Sequence, residues 1–151
     1  MNKTNQFNLN GVRYTEGEWA RRAAASDALL AAVTYTDKFG PLGKIAVLAG
    51  RILGEEIHVD VWVMSCRAFS RRIEHRCVES LFRRYGAREI VFDFHPTPKN
   101  GPLQEFFESL TGSRPEGPFR LAREIFERKR PVLYHNVVET EPTQWIPSLP
   151  A

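Results

Sequence analysis

The sequence predicts an α/β domain on a mixed sheet, with antiparallel hairpin strands first and a strand-helix-strand crossover after them. Two observations carry this. Ile57, Val59, Val61 and Val63 alternate with His58, Asp60, Trp62 and Met64, the period-two signature of a strand with unlike faces. Ile73, Cys77 and Leu81 then recur at helical spacing before the short apolar run Ile90 to Phe94. A helix between two strands makes the strands parallel and right-handedly connected, and it puts ligands beyond their carboxyl ends. That corner is Cys66 to Arg72.

The remaining elements follow in chain order. Thr15 with Glu18 is a capping box, and Tyr14 with Trp19 has the spacing of a hydrophobic staple, so a first helix starts there and ends near Ser26 or Asp27. Leu29 to Thr36 reads as a strand closed by Asp37, Gly40, Pro41 and Gly43. Lys44 to Leu53 is the next strand, Gly54-Glu55 a tight turn, and Glu56 to Ser65 the third strand. Tyr85-Gly86 stops the crossover helix. Prolines at 96, 98 and 102 shape the loop after Phe94. Pro102 opens a helix carrying Leu103, Phe106, Phe107 and Leu110, which ends at Thr111-Gly112. After a loop from Gly112 to Pro118, Phe119 to Arg130 is expected to be helical and Pro131 to Val138 to be a last strand. Residues 1–140 form one domain and the proline-containing 141–151 a tail.

A chain of 151 residues buries enough surface to fold without metal or disulfide staples. Cys66 and Cys77, the two cysteines, are expected as thiols. No basic-then-apolar leader and no bilayer-length apolar stretch is present, so the expected location is the cytoplasm. Net charge is +3, too little by itself to argue for nucleic acid. The basic residues are uneven, with Arg67, Arg71, Arg72, Arg76, Arg83, Arg84 and Arg88 opposed only by Glu74 and Glu79. This is either a patch for phosphate or an acidic protein, or a solvated helix face.

Four blocks carry a family resemblance. Arg13-Tyr14-Thr15-Glu16 with Trp19 enters the first helix, and Asp37-Lys38-Phe39-Gly40-Pro41-Leu42-Gly43 forms the hairpin turn. Met64-Ser65-Cys66-Arg67, with Arg71 and Glu74, closes the third strand, and Pro96-Thr97-Pro98-Lys99-Asn100 precedes Phe106-Phe107-Glu108. Together, over about residues 10–112, they resemble the C-terminal domain of FkbH-like proteins, a domain of the GNAT acyltransferase architecture. The resemblance implies a GNAT-like mixed sheet with helices on both faces. It also implies handling of a glyceryl-type C3 acyl group as a thioester on the phosphopantetheine of an acyl carrier protein or on CoA, in polyketide biosynthesis. The longer relatives carry a phosphatase domain whose Asp-x-Asp motif is absent here, so that step would fall to a separate phosphatase-domain protein.

On this resemblance Cys66, beside Arg67 and ahead of a helix N-terminus, would carry the acyl group as a thiolate. Its other reading is a small buried hydrophobe, the role expected of Cys77. His95, directly after the parallel strand, is the candidate general base. Arg67, Ser70 and Arg72 match the loop whose backbone wraps the CoA pyrophosphate in GNAT domains. Arg72 stands there in place of a small residue and would put a long side chain among the phosphates, so Arg71 and Arg72 suit a carrier's phosphopantetheine or acidic surface better. Thr97, Lys99 and Asn100 are candidates for holding pantetheine amides or the acyl oxygen. Their other reading is a capped loop. Phe107 occupies the position of a proton-donating tyrosine, and phenylalanine donates no proton. His58, His75 and His135 read as structural, and no metal-ligand spacing occurs.

Two functions compete: an acyltransferase-like enzyme using Cys66, His95 and Asn100, and a non-catalytic module docking a carrier or a phosphatase-type partner. Nucleic-acid binding ranks last for want of interleaved aromatics.

Overall fold

The computed structural model describes residues 7–11, 14–37, 40–65 and 72–133. Strand β1 is Phe7–Asn8, helix α1 Glu16–Ala24, β2 Ala28–Asp37, β3 Gly40–Leu53 and β4 Glu56–Met64. Then come α2 Ile73–Tyr85, β5 Glu89–Phe92, α3 Gly101–Thr111, β6 Phe119–Ala122 and α4 Arg123–Lys129. The sheet runs β2-β3-β4-β5-β6, with β1 paired to β4. β2, β3 and β4 are successively antiparallel, and β4 and β5 are parallel across the α2 crossover. The mixed α/β architecture expected from the alternation and the crossover is thus present.

Local chemistry accounts for the boundaries. Thr15 Oγ1 accepts from the Glu18 N–H at 3.2 Å and Glu18 Oε2 from the Thr15 N–H at 3.3 Å, the reciprocal bonds of a capping box. The Tyr14 and Trp19 rings meet edge to face at 5.4 Å, which fixes the entry of the chain into α1. At the other end of the crossover helix, Gly86 has φ +62° and supplies the left-handed C-cap.

Two apolar layers result. Trp19 of α1 packs with Val47, Ala49, Val61 and Val63 on one face. On the other, Ala46, Leu48, Trp62 and Met64 join residues of α2, α3 and α4 in the main core. Helices therefore cover both faces.

β4 changes face part-way along. Ala49 pairs with Val61 but Gly50 pairs with Val59, leaving Asp60 as the extra residue of a bulge. Hence Ile57 and Val59 before the bulge, and Trp62 and Met64 after it, enter the same core. The strands approach so closely here that a Cβ on Gly50 would lie 1.7 Å from the His58 carbonyl oxygen. Only glycine fits.

Two expectations are corrected. Phe119 to Arg130 is not one helix: Phe119–Ala122 form β6, antiparallel to β5, and only Arg123–Lys129 are helical. Leu121 and Ile125 were compatible with helical spacing, but the open edge of β5 supplies hydrogen-bond partners, and Leu121 is buried by pairing there. The last strand expected at Pro131 to Val138 is not seen in its described part, since residues 131–133 have no strand assignment. The remainder of that segment, and the tail, lie outside the described residues. One strand was not anticipated at all: β1.

Candidate functional site

β4 and β5 separate after the bulge. Their parallel register covers Glu56–Val59 against Glu89–Phe92, and the Asp93 N–H still reaches the Val59 oxygen at 2.8 Å. Beyond that point β4 keeps β3 on one side, while its other edge receives β1, with Asn8 opposite Val63 and Phe7 opposite Met64. Leu9 bridges the opening. Its N–H donates to the Trp62 carbonyl and its own carbonyl accepts from the His95 N–H, both at 3.0 Å. β4 and the Asp93–His95 segment therefore stand two strand spacings apart, roughly 9–10 Å, forming a slot that the chain's own Phe7–Gly11 fills.

The segment has a defined shape. Asn8 Oδ1 accepts from the Asn10 N–H at 3.2 Å and the Gly11 N–H at 2.7 Å, an Asx turn. Gly11 follows at φ +79°, where a side chain would be strained. Asn10 Nδ2 spans the slot, donating to the Asp60 carbonyl at 2.9 Å and the Asp93 carbonyl at 3.1 Å. Leu9 is fully buried in the main core, a burial that contributes about 1.5–3 kcal/mol.

One wall of the slot is the loop carrying Thr97, Lys99 and Asn100. Asn100 is 1 % exposed. Its Oδ1 accepts from the Thr97 N–H at 2.9 Å and Gln104 Nε2 at 2.8 Å, and its Nδ2 donates to the oxygens of Asn8 at 2.9 Å and His95 at 3.0 Å. All four hydrogen-bonding capacities of the amide are thus used internally. Thr97 Oγ1 accepts from the Lys99 N–H at 3.1 Å, and Lys99 itself is exposed. The capped-loop reading describes this conformation, with Asn100 as its hub.

His95 is 54 % exposed, with Nε2 3.1 Å from Asp93 Oδ1. The contact orients the imidazole at the slot's mouth. Phe107 is interior. Rings of Trp62, Phe92, Phe94, Phe106 and Phe119 surround it with centroids 4.7–6.3 Å away. Cys77 is buried, and that burial, reinforced by the Glu74 charge, pushes its thiol up to about 12. It is an inert core thiol. Cys66, Arg67, Ser70 and Arg71 lie outside the described residues. Because β4 and β5 are parallel, Ser65 and Phe92 lie toward the same end of the sheet.

Arg72 is the N-cap of α2 at φ +58° and donates from Nη1 to the Val132 oxygen at 2.9 Å. Other arginines of the basic stretch meet carboxylates: Arg76 and Arg83 pair with Glu79, and Arg88 with Glu55. Of these, Arg83 on α2 and Arg88 beyond it keep much of their side chains in solvent, whereas Arg76 is mostly buried beside Glu79.

Sequence reasoning did not identify the polar cluster on the face that bears α1. Arg22 makes a two-pronged pair with Asp60, one bond of 2.9 Å joining its Nη1 to Oδ2, and its guanidinium lies 4.9 Å from the Tyr14 ring centre. Burial, then the Asp60 charge, pushes the Tyr14 phenol up. Beside the cluster is a cavity of about 290 Å³ lined by Gly50, Arg51, His58, Asp60, Asp93 and Pro118 among others. His58 Nε2 lies 2.5 Å from Glu56 Oε1, and Glu56 also takes a 2.7 Å bond from Arg120. The Arg120 bond first, and His58 second, hold the Glu56 carboxyl below its usual range. The bulge that aims Asp60 was not legible from alternation. The Asx turn at Asn8 was not anticipated either.

Among the described residues no group of three or more His, Cys, Asp or Glu is placed to hold a metal ion, and no helix is long and apolar enough to cross a membrane.

No family model matches the chain. No curated protein matches it either. Among solved structures it is similar to a mutant form of the spermidine N-acetyltransferase of Vibrio cholerae, at 8 % identity over 72 % of this chain and 73 % of that one, with a TM-score of 0.46. It is also similar to an acetyltransferase from Bacillus cereus, at 12 % identity over 48 % of this chain and 56 % of that one, with a TM-score of 0.30.

Proposed function

We propose that this is a GNAT-like domain that handles an acyl thioester, with the pantetheine arm of a carrier protein or of CoA lying in the slot between β4 and the Asp93–His95 segment. The observation that carries the reading is how the slot treats one amide. The peptide unit joining Asn8 to Leu9 gives its N–H to the Trp62 carbonyl and its oxygen to Asn100 Nδ2, and the next carbonyl meets the His95 N–H. A pantetheine arm is a chain of secondary amides, so the same donors and acceptors suit it. The four-block resemblance supports the same reading and is the source of the C3 acyl group, the carrier protein and the phosphatase-type partner.

In this proposal Cys66 is the acyl acceptor. Its thiol gives a proton to His95, the sulfur attacks the thioester carbonyl, and the tetrahedral intermediate expels the pantetheine thiolate, which takes the proton back from His95. One thioester bond breaks and one forms. A thiolate leaves readily, so the reaction does not require an acid at Phe107.

One observation favours a second reading. The slot is filled by the chain itself and Phe107 is enclosed in the core, as suits a non-catalytic module that docks a partner. Calorimetric titration with CoA, acetyl-CoA and a phosphopantetheinylated carrier protein, alongside Cys66→Ala, separates the two. Saturable binding with acyl transfer abolished in Cys66→Ala supports the transferase. Carrier binding untouched by Cys66→Ala, without transfer, supports the docking module. No binding of any pantetheine ligand removes the arm from the slot.

A further inference from the structure

We propose that Phe7–Gly11 is a displaceable strand that competes with ligand for the slot, so that the domain is gated by its own chain. Where the ligand is taken to be a pantetheine arm, this rests on the function proposed above; the displacement itself does not.

Displacement leaves the sheet intact. β4 is held by β3 from Ala46↔Met64 to Leu53↔Glu56, and the β4–β5 ladder lies wholly before the bulge. The described contacts of β1 within the sheet are confined to β4. The segment's turn is closed by its own Asn8 side chain rather than by the domain. It can therefore move out as a unit.

Departure would expose a coherent set of groups: the carbonyls of Trp62, Asp60 and Asp93, the His95 N–H, and one donor of Asn100 Nδ2. These groups lose their protein partners when the segment leaves, so a ligand that replaces the bonds favours the open state. Leu9, buried among core residues, sets the second requirement. The ligand class is a linear chain of secondary amides with a branched aliphatic group beside one of them.

Native-state hydrogen exchange on the full chain is the first test. The Leu9 and His95 amides should exchange by local opening, about 100-fold or more faster than the Val47 and Val61 amides of the central strands. Exchange of all four at one rate would make the segment a permanent part of the fold and overturn the proposal. The second test weakens the segment with Leu9→Ser and Asn10→Ala together. With folding checked by circular dichroism, CoA should bind this variant about tenfold more tightly than the wild type. Equal affinity for both proteins would overturn the gating and leave the acyl-arm reading standing. If CoA binds neither, a synthetic peptide of residues 5–11 decides: its binding to the variant keeps the gate and rejects the acyl arm, and its failure rejects both.

Discussion

The side-chain nitrogen of Asn100 donates to the main-chain oxygen of Asn8 at 2.9 Å, across 92 residues of sequence. The same nitrogen holds the His95 carbonyl and the same side chain's oxygen holds Thr97 and Gln104, so one buried amide fastens the proline-shaped loop, the start of α3 and the strand in the slot.

Replacing Asn100 with Asp keeps the shape and removes both donors, turning a carboxyl oxygen toward two carbonyl oxygens. Unfolding free energy should fall by about 2 kcal/mol, the cost of leaving buried polar groups unpaired. Urea denaturation of the wild type and Asn100→Asp measures this, and the Leu9 amide should lose protection in the variant.

Gly50→Ala should be among the most damaging single substitutions in the sheet. The added Cβ would meet the His58 carbonyl oxygen at 1.7 Å, and main-chain atoms of a paired strand have little freedom to retreat. The strands would have to part at the bulge. An expected loss is about 3 kcal/mol, read from the midpoint of denaturant unfolding.

How far these features could be read from sequence differs by element. The capping box at Thr15 and the crossover helix are short-range patterns that appear where expected, whereas the alternation located the strand Glu56–Met64 but not its faces, because the bulge sends Ile57 and Val59 to one apolar layer and Val61 and Val63 to the other. β6 was misread because Leu121 and Ile125 also suit a helix, and only the exposed edge of β5 decides otherwise. β1 is two residues long, too short to show a period. The loop from Pro96 to Asn100 was recognised as shaped, but the partners of Asn100 at Asn8 and His95 depend on tertiary pairing that no spacing reveals.

The buried thiol gives a pH test. In the unfolded chain Cys77 titrates near 9.0, and in the folded domain it is pushed up to about 12. Above pH 9 the unfolded state has lost a proton that the native state keeps, so stability present below pH 9 is lost as pH rises toward 12. The slope from this group approaches about 1.4 kcal/mol per pH unit. Denaturation curves across that range should show it in the wild type and show it reduced in Cys77→Ala, whose stability is lower from the outset.

Binding of an amide-bearing arm where Leu9 now lies is read from backbone NMR during titration. On adding CoA, acetyl-CoA or a phosphopantetheinylated carrier protein, saturable shifts are expected to concentrate at Trp62–Met64 and Asp93–His95, with loss of protection at the Leu9 amide. Titrations in which those resonances stay fixed with all three ligands while Leu9 remains protected would contradict it.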